Sequence, residues 1–299
     1  MSERTTVAAY KWGYAVAKYI PPPAAHLIAR AAGWVMAPLM RDKRRMLERH
    51  LRRVDPQISP TDLKRTSRVA LASYARYYIE SFRLPRMESR RVDETFEVDG
   101  FEHVAAGLEA GNGVILALPH LGGWEWAGRW MTDRGHALTV VVEPLNPPAL
   151  FEWFAGLRTS LGMKVIPLGP TVATEVSAAL RRNEVVCLLC DRDIQRTGTE
   201  VMMFGEATTL PSGPALMSLR TGAALLPVGV YFTDAVDGHK AVVRPHLSIE
   251  TTGKLRSDVA ALTQSLATEL EHLISLAPEQ WHLLQPNWPS DPGYELPST

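Results

Sequence analysis

Cysteine is scarce in this 299-residue chain, which contains only Cys187 and Cys190. Both lie in the apolar run 185–190, which predicts a buried strand, where residues three positions apart point to opposite faces. The second cysteine pair that a structural zinc site would need is missing. We therefore expect both cysteines in the core, no metal site and no cofactor. Without a secretory disulfide framework, the chain is expected to face a reducing cytosol.

Long apolar runs are missing as well. The best candidate for a membrane-spanning helix, residues 24–40, contains Arg30 and Pro38 and is shorter than the roughly 20 residues required. Residues 1–20 contain Lys11 and Lys18, which is not typical of a signal peptide. There are no internal repeats or low-complexity tracts, so solenoid and disordered architectures are disfavoured. These absences predict a folded globular protein without a membrane-spanning helix.

The formal net charge is zero, but the two signs are unevenly distributed. Residues 1–91 hold 19 Lys and Arg against 7 Asp and Glu, a net charge of +12, and residues 92–299 carry −12. A basic N-terminal third predicts attraction to an anionic surface, either lipid headgroups or nucleic acid. The basic stretch 41–53 lacks a helix-turn-helix, zinc-ligand or RNA-binding signature, so nucleic acid is not the expected partner. A non-catalytic protein that binds an anionic polymer is kept as an alternative.

The first helix of the basic region is also rich in aromatic residues. Lys11 and Lys18 are seven positions apart and so share a helix face. Around them stand Tyr10, Trp12, Tyr14, Val16, Tyr19 and Ile20. A basic, aromatic and amphipathic helix is typical of a segment that lies in a bilayer interface. The alternative is a surface helix packed on its own domain. Pro21–Pro23 ends this helix and begins a second one, and a longer helix is predicted from Pro60 to about Phe82.

After residue 91, short apolar runs alternate with helical stretches. Strands are predicted at 114–118, 138–142, 165–168, 185–190, 225–232 and 241–249. Helices are predicted near 124–133, 148–161, 172–182, 213–221 and 257–276. This alternation predicts an α/β fold, with a mostly parallel central sheet flanked by helices on both faces. We expect a single domain, 1–299, in which the amphipathic N-terminal helices pack on that core. Residues 1–91 would be its basic membrane-docking part and residues 92–288 its catalytic core.

Two predicted strands end in titratable side chains. His120 follows the strand 114–118, and Asp191 follows the run 185–190. Ligands bind beyond the carboxyl ends of parallel strands, so a histidine and a carboxylate there form a candidate base and its orienting partner. Glu125 is a second candidate partner. It lies five residues after His120, and the two could meet only through a sharp turn at Gly122-Gly123.

The segment Pro119–Gly128 resembles the His-x4-Asp/Glu block of the lysophospholipid acyltransferase superfamily. The resemblance is closest to the branch containing the lipid A and actinobacterial phosphatidylinositol mannoside acyltransferases. Five later segments are similar to that branch in order and spacing, namely 191–193, 204–208, 210–215, 221–224 and 281–288. His-x4-Glu alone would be a weak signal, whereas the ordered set is specific. The likeness covers roughly residues 65–288.

The resemblance implies an enzyme that transfers a fatty acyl group from acyl-CoA, a co-substrate, to a hydroxyl of a membrane glycolipid. The implied acceptor is a phosphatidylinositol mannoside. A lipid A-type sugar and a lysophospholipid are alternative acceptors, and a carrier-protein donor stays open. An enzyme of this kind is expected to work at an anionic membrane surface, as a peripheral protein on the cytoplasmic face of the plasma membrane.

The same resemblance implies roles for six residues. The inositol mannoside branch has an acid at the position of Asp191 that acts in relay with the histidine, and it usually has Asp where Glu125 stands. We therefore expect His120 to pair with Asp191, with Glu125 as an alternative or supporting partner. Glu143 and Arg158 also match an acid and an arginine of the family pattern. Together with Arg192 they are candidates to shape the site and bind CoA phosphates.

Overall fold

The computed structural model of the chain describes residues 3–295. Its helices are α1 (Glu3–Ala17), α2 (Pro22–Leu39), α3 (Arg41–Val54), α4 (Pro60–Arg83), α5 (Ser89–Glu94), α6 (Phe101–Glu109), α7 (Trp124–Asp133), α8 (Pro148–Ser160), α9 (Val172–Arg181), α10 (Gly213–Thr221) and α11 (Leu255–Leu276). Its strands are β1 (Phe96–Asp99), β2 (Val114–Leu118), β3 (Leu138–Val142), β4 (Lys164–Pro167), β5 (Val185–Leu189), β6 (Thr199–Met203), β7 (Glu206–Leu210), β8 (Ala224–Phe232) and β9 (His239–Val243).

The central sheet contains seven strands in the order β1-β9-β8-β2-β5-β3-β4. Strands β8, β2, β5, β3 and β4 run parallel to one another. At one edge the direction reverses, because β9 pairs antiparallel with β8 and β1 runs parallel to β9. Strands β6 and β7 form a separate antiparallel pair. The prediction of a mostly parallel sheet is confirmed.

Helices cover both faces of this sheet, as predicted. Alternate strand residues point to opposite sides, so each strand contributes to two apolar clusters. Ile115 and Val186 pack in the cluster that includes residues of α9, α10 and α11. Leu116 and Val185 belong to the cluster on the other side, which includes residues of α6 and α7. The two cysteines are free thiols and divide in the same way, with Cys190 in the first cluster and Cys187 against the second.

Helix α2 packs closely on α4 through a row of small residues. The buried positions of α2 are four residues apart and comprise Ala25, Ala29, Gly33 and Ala37. At Gly33 the two backbones approach so closely that a β-carbon would lie 2.5 Å from the carbonyl oxygen of Arg68. Because the small residues occupy the inner face, the larger apolar side chains of α2 are turned outward.

These outward side chains, together with those of α1 and the turn that follows it, form a surface that we call the α1–α2 apolar surface. Its members are exposed to between 45% and 77%, and they are Trp12, Val16, Tyr19, Leu27, Ile28, Trp34, Val35 and Leu39. Other aromatic residues of α1 point inward, where Tyr14 contacts Phe82 and Trp153. The prediction that the N-terminal helices pack on the α/β core is confirmed.

Helix α3, which carries the basic stretch 41–53, holds the C-terminal segment of the described chain. Arg53 donates hydrogen bonds to Glu206 at 2.9 Å and to Asp291 at 2.8 Å. Arg49 donates to the same Asp291 carboxylate at 3.2 Å. Two of the cations of this stretch are therefore engaged inside the protein, which leaves fewer of them for an external anionic surface.

The strand predicted at 241–249 is wrong beyond Val243. Pro245 has no N–H to continue a ladder, and the ring of His246 accepts a hydrogen bond from the Leu225 N–H at 2.9 Å instead. The hairpin of β6 and β7 was not predicted. Its two-residue loop, Phe204-Gly205, has positive φ at both positions, where Asn or Asp is the usual first residue.

Among residues 3–295, none of the helices combines the length and the apolar character needed to cross a membrane.

The close α2–α4 contact leads to a prediction about stability. Gly33→Ala should lower the free energy of unfolding by about 1–3 kcal/mol, because the added methyl group must displace the α4 backbone. Gly156→Ala is the matched control, since a β-carbon at that exposed helical position meets nothing within 4 Å. That change should stabilise by about 0.5–1 kcal/mol. Urea denaturation of both variants measures the difference, and equal effects would contradict the packing described here.

Candidate active site

Strand register brings His120 and Asp191 together. Strands β2 and β5 are parallel neighbours, with Leu118 opposite Leu189. The Cys190 N–H donates to the Leu118 carbonyl at 2.7 Å, which continues the pairing by one residue. His120 and Asp191 each lie two residues beyond these strand ends, so they emerge side by side at the carboxyl edge of the sheet. Their proximity is the result expected from the sequence.

The pair is joined by two hydrogen bonds. Nδ1 of His120 lies 2.6 Å from Oδ1 of Asp191, and the His120 backbone N–H donates to Oδ2 at 3.0 Å. The Asp191 side chain is fully buried, whereas 30% of the His120 side chain is exposed. Because Nδ1 faces the carboxylate, Nε2 is the ring nitrogen that can exchange a proton with a bound molecule.

Asp191 stays ionised although it is buried. Burial by itself raises the pKa of the carboxyl group. The charge of His120 and the hydrogen bonds from His120 and Trp281 outweigh burial and hold the pKa of Asp191 below its usual range. An ionised Asp191 fixes the proton of the neutral imidazole on Nδ1 and leaves Nε2 free to accept one. This arrangement of base and orienting carboxylate is the one used in hydrolase triads.

Glu125 does not contact His120. As predicted, it lies in the first turn of a helix, α7, but its carboxylate binds Arg158, which donates from Nη2 and, at 3.2 Å, from Nε. The hydroxyl of Tyr77 donates to the same carboxylate at 3.1 Å. The side chains of Glu125 and Arg158 are only 8% and 14% exposed. The structure therefore brings Asp191, and not Glu125, to the histidine, and Arg158 is engaged in an internal ion pair.

Glu143 and Arg192 lie at the rim of the same edge of the sheet. Glu143 follows β3, and Arg192 follows Asp191 beyond β5. Their charged groups are 3.5 Å apart, and 40% and 22% of their side chains are exposed. Arg192 is partly accessible and has one long ion-pair contact, so its guanidinium can bind an anionic group at this edge of the sheet.

The turn after His120 depends on two glycines. Gly122 has a φ of +59°, and a β-carbon there would lie 2.2 Å from the Val230 carbonyl oxygen. At Gly123 a β-carbon would lie 2.5 Å from the ring of His239. The chain can therefore pass close to β8 and β9 before α7 begins. Trp124, the first residue of α7, then places its ring against the imidazole of His120, with the ring centroids 5.6 Å apart.

Sequence reasoning missed the contribution of the segment 280–288 to this site. The indole N–H of Trp281 donates to Oδ2 of Asp191 at 2.7 Å. The backbone N–H of His282 donates to the His120 carbonyl at 2.7 Å, and the Asn287 amide donates to the Asp191 carbonyl at 3.0 Å. The family resemblance included residues 281–288 but gave no role to any of them. Among residues 3–295, no group of three or more His, Cys, Asp or Glu side chains is arranged to hold a metal ion.

Two buried histidines near the site are neutral in the folded protein. Burial lowers the pKa of His282 to about 3, and the charge of His120 acts in the same direction. Burial also lowers the pKa of His50 to about 4, against smaller opposing effects of Asp291 and a hydrogen bond to Gln285. Both rings lie next to residues of the site, since the His282 ring is 5.9 Å from the Trp124 ring and the His50 ring is 5.5 Å from the Trp281 ring.

These neutral histidines predict a loss of stability in acid. The unfolded chain protonates both near pH 6.5, but the folded protein does not until about pH 4 or 3. The free energy of unfolding should therefore fall between pH 6.5 and 4, by about 1.4 kcal/mol per pH unit for each ring. His50→Gln should flatten this slope in urea titrations. The control is His272→Gln on the exposed side of α11, and an equal flattening there would contradict the assignment to burial.

Comparisons with known proteins show the family to which this chain belongs. A family model described as bacterial lipid A biosynthesis acyltransferase matches residues 2–290. The phosphatidylinositol mannoside acyltransferase of Mycolicibacterium smegmatis is 43% identical over 251 residues, which cover 82% of this chain and 79% of that protein. The protein of the same name from Mycobacterium tuberculosis is 44% identical over 227 residues, or 74% of this chain and 70% of its own. The chain therefore belongs to the bacterial lipid A biosynthesis acyltransferase family, and it is an acyltransferase.

Proposed function

We propose that this acyltransferase moves a fatty acyl group from acyl-CoA to a sugar hydroxyl of a phosphatidylinositol mannoside, with His120 as the general base. The observation that carries the proposal is the His120–Asp191 pair, with its partly exposed imidazole and fully buried carboxylate. The acceptor is inferred from the two mycobacterial relatives, whose names specify phosphatidylinositol mannoside. A lipid A-type sugar or a lysophospholipid is the alternative acceptor.

The reaction follows from the protonation states of the pair. Nε2 of His120 takes the proton of the sugar hydroxyl while its oxygen attacks the thioester carbonyl. Asp191 stabilises the imidazolium that results. The tetrahedral intermediate then collapses, the C–S bond breaks, and the proton on Nε2 passes to the departing thiolate. The products are the glycolipid ester and free CoA, and His120 is again neutral.

The other charged residues divide into two roles. Arg192 lies beside Glu143 and is proposed to bind a phosphate of acyl-CoA. Its guanidinium is partly exposed, and its contact with Glu143 is long, at 3.5 Å, so it remains available to an anion. Arg158 was expected to share this role. Its guanidinium is instead engaged by Glu125, so we assign the Glu125–Arg158 pair to holding the first turn of α7 beside the site.

The proposed mechanism predicts the effect of changing either member of the pair. His120→Ala should lower kcat by about 10²–10⁴-fold without unfolding the protein, because it removes the general base at a strand end. Asp191→Asn should also lower kcat by orders of magnitude, since an amide favours the wrong imidazole tautomer. The measurement is steady-state transfer of a radiolabelled acyl group from acyl-CoA, across a panel of lipid acceptors that identifies the preferred one.

Glu125→Gln is the matched control for these two variants. It should lower kcat less than Asp191→Asn does. It should also destabilise the protein by about 3–5 kcal/mol, since it leaves the charge of Arg158 buried without its partner. Near-normal turnover of a folded His120→Ala variant would overturn the mechanism. A larger kcat loss for Glu125→Gln than for Asp191→Asn would assign the relay to Glu125.

We further propose that the enzyme works as a peripheral protein on the cytoplasmic face of the plasma membrane and docks through the α1–α2 apolar surface. Two tryptophans and three large aliphatic side chains on this surface are more than half exposed: Trp12, Trp34, Leu27, Val35 and Leu39. Large exposed apolar side chains concentrated on two consecutive helices, both packed on α4, are typical of a binding surface. Exposed cations of α3 nearby, such as Lys43 and Arg52, favour an anionic leaflet.

This docking mode predicts which changes weaken membrane binding. The double change Leu27→Ser with Leu39→Ser should weaken flotation with anionic vesicles by about tenfold or more, because apolar area no longer enters the lipid. Met202→Ser, at an exposed position of β6, is the control that should bind normally. Added salt should weaken wild-type binding without abolishing it. Normal binding by the double variant, or binding to DNA in preference to vesicles, would contradict the proposal.

A further inference from the structure

The segment 280–288 crosses directly behind the proposed base and its carboxylate. Besides the contacts of Trp281, His282 and Asn287, the Gly122 N–H donates to the Gln280 carbonyl at 3.0 Å. Leu121 and Trp281 form an isolated antiparallel bridge. The loop that carries His120 is thus hydrogen-bonded to this segment at the histidine itself and again at Gly122, two residues later. Any displacement of the segment would therefore be transmitted to the pair.

Trp281 is the residue of this segment whose side chain binds the Asp191 carboxylate. Its indole N–H is the third donor to the Asp191 carboxylate, after the ring and the backbone N–H of His120. It binds Oδ2, the oxygen that does not bind the ring. The bond therefore fixes the rotation of the carboxylate about its side-chain axis, and with it the direction in which Oδ1 faces the imidazole.

The indole is itself held in one orientation. Trp281 is almost completely buried, and its ring contacts those of His50 and Phe204 at centroid distances of 5.5 and 5.8 Å. His50 is anchored in turn, because its Nε2 binds the Gln285 carbonyl at 3.0 Å. A donor fixed by packing costs no reorganisation when charge develops on the neighbouring imidazole.

We propose that Trp281 is a positioning residue of the acyl transfer, whose indole N–H aligns Asp191 and sets the proton affinity of His120. This inference rests on the proposed role of His120 as the base. The N–H draws part of the negative charge of the carboxylate toward itself and away from the imidazole. When that donor is removed, the carboxylate attracts the imidazolium proton more strongly, and only the His120 backbone N–H still holds Oδ2 in place.

Trp281→Phe tests the proposal, because phenylalanine keeps an aromatic ring but has no N–H. The kcat for acyl transfer should fall about tenfold to a hundredfold, the scale expected for losing one hydrogen bond to a charged group. The KM for acyl-CoA should change little. Because His120 must be neutral to act, a stronger hold on its proton should move the acidic limb of the kcat profile to higher pH.

Trp288→Phe is the matched control. Trp288 is equally buried, and its indole N–H donates to the Met203 carbonyl at 3.2 Å without touching Asp191. Trp288→Phe makes the same change of an indole to a phenyl ring and loses an N–H bond to a neutral carbonyl, so it reports the structural cost alone. The acidic limb of the kcat profile should stay at the wild-type pH in this variant. If both variants lose the same activity and neither shifts the limb, Trp281 has only a structural role and the proposal fails.

The coupling of Trp281 to His120 can also be measured on the wild-type protein, so this test does not depend on the folding of a variant. In ¹⁵N-labelled protein, the indole N–H resonance of Trp281 should shift with pH in step with the His120 ring, while that of Trp288 should not. Independent titration curves for Trp281 and His120 would overturn the proposal. This readout does not depend on turnover. If His120→Ala retains transfer while the two resonances titrate together, the proposed function fails and the coupling of Trp281 to the pair stands.

Discussion

The structure of the site depends on keeping one buried carboxylate ionised. A charged carboxyl group without solvent contact is strongly unfavourable unless donors replace the water it loses. Asp191 receives three donors on its two oxygens and a fourth contact on its backbone carbonyl. Two of them come from His120, in the loop after β2, and two from the segment 280–288. The carboxylate thus links parts of the chain that are distant in sequence, and its burial fixes the geometry that the imidazole needs.

The elements that could be predicted from the sequence are those that depend on local patterns. The apolar runs at 114–118 and 185–190 became the adjacent central strands β2 and β5, with shifts of one residue at most. Their register brought together His120 and Asp191, which the sequence had placed only at strand ends. The helices from 124 onward were also predicted closely, because each carries an apolar face and ends near a glycine, a proline or a polar turn.

The interactions that could not be predicted are those without a local signal. Nothing near Glu125 in the sequence indicates that Arg158 and Tyr77 would take its carboxylate, because those residues come from two other helices. Trp281 lies 90 positions from Asp191, and an apolar tryptophan in a loop reads as an ordinary core residue. The Phe204-Gly205 hairpin was missed for a similar reason, since Phe204 stands where Asn or Asp is usual. The turn before β9 does carry a local signal, Asp237-Gly238, which was overlooked in the prediction.

Charge composition alone also misjudges the N-terminal third. Its net charge of +12 suggested an electrostatic surface, yet Arg53 is engaged with Glu206 and Asp291, and Arg83 forms a buried pair with Asp237. The more distinctive feature of this region is the α1–α2 apolar surface, which results from the small residues of α2 occupying its inner face.

The long-range contacts of the site have a further consequence, for folding. His50 and Gln285 are 235 positions apart, and such contacts form late because a long loop must close first. A chain that has its sheet but has not yet docked the segment 280–288 would be compact and inactive.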